Sequence, residues 1–401
     1  MLFEYYRKLF IKDDNSIFWG GETVTRYWAD STLALYMGIV AFVMLMAYQI
    51  NITQARYYRQ SNLTRTFDIK SINKELQLVF SILILILGLR HQTVGIDTIV
   101  YSSSIEKEGS LQNFFRDSTA EPLYLLIHYI LHLLFDNGKI GIFIYSFITI
   151  YFIYYGLKKY ERDISIGLSI IIYVFLYYFP ALNLLRISLA ASIVFCYFNL
   201  LVKGRYKYFA LVLIVVCLIH FSTMIMFLPF GLYLIYRKHR KLALIGACSL
   251  IVIIGYASMA LGDYLSLINR YSNYIDNNDS SGGVGVMLFI DYLPCLIICC
   301  YIIKKKIRQS WADIMICFTI SAFIVRLMAY YISVAGRLHT HFMCLTMILL
   351  PYWIYYFKYH NKKLYKPMLY LSILWCLLRL HIYFSGYLSK DGIMPYLFIW
   401  N

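Results

Sequence analysis

The sequence predicts an all-α polytopic integral membrane protein with about twelve transmembrane helices and an amphipathic helix in its first outer loop. Three observations predict it. Hydrophobic residues make up 61% of the chain and charged residues 14%, with a mean hydropathy of +0.63, too little polar surface for a soluble protein of 401 residues. Apolar runs recur from Ser31 onward, each long enough to cross roughly 30 Å of hydrocarbon as a helix. The alternating segments of a membrane barrel are absent from the pattern.

The placement of the charge orients these segments. The net charge of +16 is divided among short connections: Arg56 to Lys74, Lys158 to Arg162, Lys203 to Lys207, Arg237 to Lys241, Lys304 to Arg308 and Lys358 to Lys366. The positive-inside rule assigns these to the cytoplasm. Nucleic-acid binding would require the charge on one folded surface, so it is excluded as a function class. The nine cysteines fall mostly within apolar runs and read as small hydrophobes, without metal spacing or a disulfide framework.

In chain order, residues 1–30 form an external or interfacial segment, charged, aromatic and without a leader-type apolar core. A single transmembrane domain covers 31–390, with outer loops at 90–139 and 262–285, and 391–401 is an external tail. The spans at 31–49 and 75–89 deliver Arg90 to the outer face. Two apolar runs compete for the next crossing. The run at 140–157 takes it, because 121–135 is short and carries Glu121, Tyr124, His128 and His132 at helical spacing. That run becomes the interfacial helix, opened by Pro122. Paired spans follow at 164–180 with 183–202, 208–221 with 223–236, 242–260 with 286–302, and 312–334 with 340–357, and a last one at 368–388. The 208–236 pair is short and contains Pro229, which predicts bent or re-entrant helices. The polar run near Asp276 and Asp279 predicts a mobile lid. There is no internal repeat of the kind inverted-repeat transporters carry.

This topology gathers chemistry on one leaflet. Arg90, Arg186, Arg326 and Arg337 all fall in the outer half, where intramembrane arginines are costly unless they face a cavity or a partner. Arg379 lies within the last span and is as well explained by a structural contact. Planar guanidinium forks suit phosphate oxygens, so the four are the predicted pyrophosphate ligands. Asp97, Glu121 and His220 are the candidate catalytic acid–base groups, and His91 and Tyr101 the candidate sugar-positioning groups. Asp97 ranks first as base, because Gly95 lets its loop bend toward substrate, followed by Glu121, held by helix amides, and His220. His128 and His132, four residues apart, lack the intervening glutamate and third ligand of a zinc site and read as a polar stripe. The Glu106-Lys107-Glu108 cluster reads as solvated loop. No metal and no cofactor are expected.

The run from Arg90 to Tyr101, RHQTVGIDTIVY, followed by Glu121-Pro122, resembles the first-loop pattern of the EpsG-like family of bacterial polysaccharide polymerases. Leu185-Arg186-Ile187-Ser188-Leu189-Ala190, His220-Phe221-Ser222, Gly336-Arg337 and Pro395-Tyr396 resemble its later motifs in order, over about residues 31–398. The charged first thirty residues depart from that pattern. The resemblance implies a Wzy-type reaction, joining undecaprenyl-diphosphate-linked oligosaccharide repeats into O-antigen, capsule or exopolysaccharide at the outer face of the bacterial inner membrane. It also implies a scaffold like that of the C-type lipid-donor glycosyltransferases, and a flippase and chain-length regulator of the same pathway as partners. The alternatives are a ligase using the same donor and a non-enzymatic flippase or transporter. A flippase would need charges through both leaflets. An O-acyltransferase is disfavoured by the outward position of His220.

Overall fold

A computed structural model of the chain describes residues 2–12, 16–19, 22–61, 70–106, 110, 112, 115, 120–250, 285–331 and 333–400. The described residues are helical apart from one short hairpin, β1 Ser16–Trp19 paired antiparallel with β2 Glu22–Thr25. Among the described residues, five helices are long and apolar enough to cross a membrane: Asp30–Arg56, Gly138–Lys159, Leu185–Val202, Ser310–Met328 and Lys362–Gly386. Their outward residues are apolar. Leu45 and Leu374, on the first and last of them, are each more than 60% exposed, as lipid-facing side chains are. The predicted lid, with Asp276 and Asp279, lies outside the described residues.

The chain divides into two compact units. The first comprises residues 1–196, 218–220 and 372–401. It contains α1 Leu2–Lys12, α2 Asp30–Ser61, α3 Lys70–Gly88, α4 Ile96–Ile105, α5 Pro122–Phe135, α6 Gly138–Lys159, α7 Ile166–Tyr173 and most of α8 Leu185–Tyr197. The amphipathic α1 packs Tyr6 and Phe10 inward. Tyr6 Oη lies 2.8 Å from His381 Nδ1, and Phe10 meets Trp28 edge to face.

Polar side chains set the joints between these apolar helices. At the start of α7, Asn51 Oδ1 accepts from Ser165 Oγ and Gly167 N, while Gln54 donates to the carbonyls of Glu161 and Ile164 and accepts from Ile166 N. The free amides of the helix start are thereby satisfied by α2. Gly167 permits the approach, because a Cβ there would stand 2.3 Å from the Ala47 carbonyl oxygen. At the other end, α6 begins on Glu106, whose Oε1 accepts from Gly138 N at 2.9 Å, while the Asn137 side chain caps Lys139 N and Ile140 N. Glu106 is therefore a helix cap, which corrects its reading as solvated loop.

Three features of the first unit differ from the sequence expectation. Residues 96–105 form a helix where a bending loop was expected, so Asp97 sits in its first turn and Gly95, at φ +92°, makes the entry. The span expected at 164–180 breaks into α7, a π-turn at 174–178 and a 3-10 turn at 180–182, ending at Pro180 and Asn183. The last residues are a strap and no loose tail. His91 N donates to Leu397 O and Ile399 N to Leu89 O, making Phe398 a bridge partner of Arg90, and Tyr396 Oη donates to Ile86 O at 2.6 Å. Tyr36 Oη, from α2, reaches Ile393 O.

The second unit comprises residues 197–217 and 221–371. It holds α9 Asn199–Val202, α10 Tyr206–Cys217, α11 Phe227–Lys238, a helical stretch at 240–250, α12 Gly285–Lys304, α13 Ser310–Tyr331 and α14 Leu350–His360. α15 Lys362–Gly386 starts in this unit and continues from Ser372 in the first. The expected short pair at 208–236 is two short helices joined through a 3-10 turn, Phe221–Met226. The expected helix at 340–357 is a 3-10 segment, Ser333–Phe342, a π-turn, Leu345–Leu349, and α14. At the basic end of α11, Arg240 pairs with Asp313 at 2.7 Å.

The packing of α4 on α6 provides a test. A Cβ at Gly138 would fall 2.1 Å from Ser102 Oγ and 2.6 Å from its carbonyl oxygen, whereas nothing lies within 4 Å of one at Gly38. Gly138→Ala is expected to cost about 1–3 kcal/mol through overpacking, read as a lowered melting temperature in detergent. Gly38→Ala should leave it unchanged.

Candidate active site

The first unit gathers Tyr101, Glu121, Arg186 and His220. α5 begins at Pro122, and its first free amides, Leu123 N and Tyr124 N, donate to Leu218 O. Glu121, the residue before the helix, therefore has no amide to cap and its side chain makes no capping bond. This corrects the expectation that helix amides hold its carboxylate. Two side chains hold it instead. Arg186 Nη1 donates to Oε2 at 2.9 Å, and His220 Nδ1 lies 3.5 Å from Oε1. The Glu121 side chain is only 8% exposed, so its charge requires such partners.

Aromatic rings fix the other partner. The Arg186 guanidinium lies 4.6 Å from the centre of the Tyr124 ring and 5.6 Å from that of Tyr101. A planar cation between aromatic faces keeps its orientation without hydrogen bonds on those faces. The rings belong to one apolar cluster that includes Ile105, Leu125, Tyr145, Leu185 and Ile219.

The histidines of α5 explain how that helix is held. His128 Nδ1 meets Ser104 Oγ at 2.8 Å, and His132 Nδ1 lies 2.9 Å from Ile105 O and 3.0 Å from Asp136 Oδ1. Both join α5 to the C-terminal end of α4, and the His128 ring packs 4.0 Å from Tyr124 behind Arg186.

Asp97 and Tyr101 are four residues apart on α4 and share a face. While Tyr101 meets Arg186, the Asp97 amide donates to Asn183 Oδ1 at 2.8 Å, in the turn that leads into α8. Asn183 Nδ2 donates in turn to Asp391 Oδ1, and Tyr383 Oη donates to Asp391 Oδ2. Sequence reasoning missed Asn183, Tyr383 and Asp391. The available signal was a lone asparagine three residues ahead of Arg186.

Arg90 is enclosed on every side. It is fully buried, and its Nη1 donates to Leu87 O and to Ser146 Oγ, the latter at 3.0 Å. Its Nε and Nη2 are buried without a hydrogen-bond partner among the described residues, and the turn at Leu89 and the C-terminal strap close over it. His91 is half-buried, and its Nδ1 accepts from Thr93 N. Burial, and after it the charge of Lys139, lower its pKa. Arg26, unremarked in the sequence, donates to Thr93 O at 2.5 Å from the N-terminal segment.

In the second unit, Arg326 Nε lies 2.5 Å from Asp291 Oδ2, and the neighbouring turn carries exposed Arg337. Ser222, of the His220-Phe221-Ser222 run, bonds His341 Nε2 at 2.8 Å. Asp291 and His341 were also missed. A single acid beside a proline in an apolar run was the signal for the first. Arg379 is half-buried on α15.

A helical chain with apolar spans, and a buried carboxylate held by an arginine with a histidine and two edge-to-face tyrosines beside it, defines a membrane protein with a polar centre. The chain belongs to the EpsG family, whose family model matches residues 76–398. No curated protein and no solved structure matches it. The N-terminal helix, the hairpin and α2 lie outside the matched region.

The clasp makes a stability prediction. Glu121→Gln strands a largely buried arginine and should cost about 3 kcal/mol, whereas replacing both partners, as in Glu121→Leu with Arg186→Met, should recover most of that loss. Chemical denaturation in detergent micelles distinguishes the two.

Proposed function

We propose that the protein is a membrane glycosyltransferase that joins lipid-diphosphate-linked oligosaccharide repeats into a longer polysaccharide at the outer face of a bacterial inner membrane. Family membership supports polysaccharide biosynthesis in the membrane. The observation that carries the finer reading is the Arg186–Glu121–His220 group. Transfer of a growing glycan breaks the bond between its anomeric carbon and the carrier diphosphate and forms a bond to a hydroxyl of the incoming repeat. The hydroxyl proton passes to a base, and the diphosphate leaves with the electron pair.

Arg186 answers the leaving group. Its orientation is set by Tyr101, Tyr124 and Glu121, so the cation is preorganised for charge that develops on phosphate oxygen. Arg90, enclosed, supports the wall of this site from within. Asp97 remains the first candidate for the base. Glu121 is engaged by Arg186, and His220 faces Glu121. Tyr101 and His91 are the candidate sugar contacts. About twelve crossings and a C-type scaffold complete this reading, with an undecaprenyl diphosphate carrier and a flippase and chain-length regulator as pathway partners.

Purified protein mixed in detergent with lipid-diphosphate-linked repeats should lengthen glycans, which neither a flippase nor a transporter does without a sealed membrane. Arg186→Lys keeps the charge and loses the fork, and extension should fall about 10²–10³-fold. Asp97→Asn should bind donor and extend about 10²-fold more slowly. Normal extension by Asp97→Asn together with a dead His220→Gln would move the base to His220.

A further inference from the structure

α12 is broken where it carries its one acid. Tyr292 leaves the helical region at φ −128°, ψ 17°, and Pro294 withholds an amide two residues later. Asp291 precedes the break, and its side chain is 6% exposed. A carboxylate in an apolar helix is costly and marks a function once its partner is identified. The partner is Arg326, the one base of α13, through its Nε at 2.5 Å.

That contact uses one edge of the guanidinium. The other end points elsewhere: Nη1 lies 3.7 Å from the place a side chain on Gly336 would occupy, and Gly336 is followed by exposed Arg337. The Arg326 side chain is 29% exposed, against 6% for Asp291, so the pair opens on the arginine side. A pair kept only for stability would be served as well by two apolar residues.

We propose that Asp291 is a positioning residue, which fixes Arg326 by its Nε so that the Nη groups, with Arg337, receive the diphosphate of a prenyl carrier. The identity of that anion rests on the glycosyltransferase reading; the cradle rests on the geometry of the second unit.

Farnesyl diphosphate added to the purified full-length chain in detergent provides the probe, with thermal unfolding as the readout and phosphatidylglycerol as the control. The wild type should be stabilised in a saturable way by the diphosphate and not by the phospholipid. Asp291→Asn and Arg326→Lys should bind about tenfold more weakly or worse, the scale of one contact to a charged group. The exchanged variant, Asp291→Arg with Arg326→Asp, restores the ion pair but presents the guanidinium from α12. Its melting temperature without ligand should recover relative to Asp291→Asn while the diphosphate response stays lost. Wild-type binding by Asp291→Asn or by the exchanged variant would overturn the proposal, as would a response to phosphatidylglycerol alone. Binding is read without glycan, so a failure of chain extension would leave this result standing.

Discussion

A charge buried away from water must be matched, and the architecture of this protein follows from where that matching is done. Glu121 stands at a helix start whose amides are already taken by Leu218, so its charge falls to Arg186, with His220 beside it. Arg186 in turn needs rings to hold its plane, which α4 and α5 supply with Tyr101 and Tyr124. α5 is kept in place by His128 and His132 against Ser104 and Ile105. Each apolar helix is thus positioned by a few polar atoms. In a membrane, where lipid is as apolar as leucine, contact area alone selects no partner, and such atoms select it.

The same logic recurs at the joints far from the candidate site. Asn51 and Gln54 on α2 finish the start of α7, and Glu106 finishes the start of α6. Glycines set how near the backbones come. The cost of this arrangement is intolerance, since a methyl group at Gly138 or Gly167 meets backbone oxygen.

Much of this was legible in the sequence, and what was not has physical causes. Composition and charge placement gave the membrane class, and hydrophobic periodicity placed the helix at 122–135 within a residue. Arg186, Glu121 and His220 were all named as candidates, yet their grouping depends on contacts more than sixty residues apart in sequence, which periodicity does not encode. α4 was missed because its ten residues mix serine, threonine and aspartate and resemble a loop. The π-turn after Tyr173 was missed because apolar pattern runs through it unchanged, and the kink at Tyr292 because it lies within one apolar run. The burial of Arg90 was not legible, because sequence locates a charge at a helix end and says nothing of what folds over it.

What folds over it is the strap at 391–399, and that has a consequence in time. Translation delivers Leu89 and Arg90 some three hundred residues before Leu397 and Ile399, whose backbone closes the turn. Until those residues emerge, Arg90 has an open side, and the turn that leads into Asp97 lacks the carbonyls of Asp391 and Gly392 that fix Ile96 and Gly95. The wall that carries Asp97 and Tyr101 is consequently the last part of the first unit to set, and a nascent chain already threaded through the bilayer has not yet completed it.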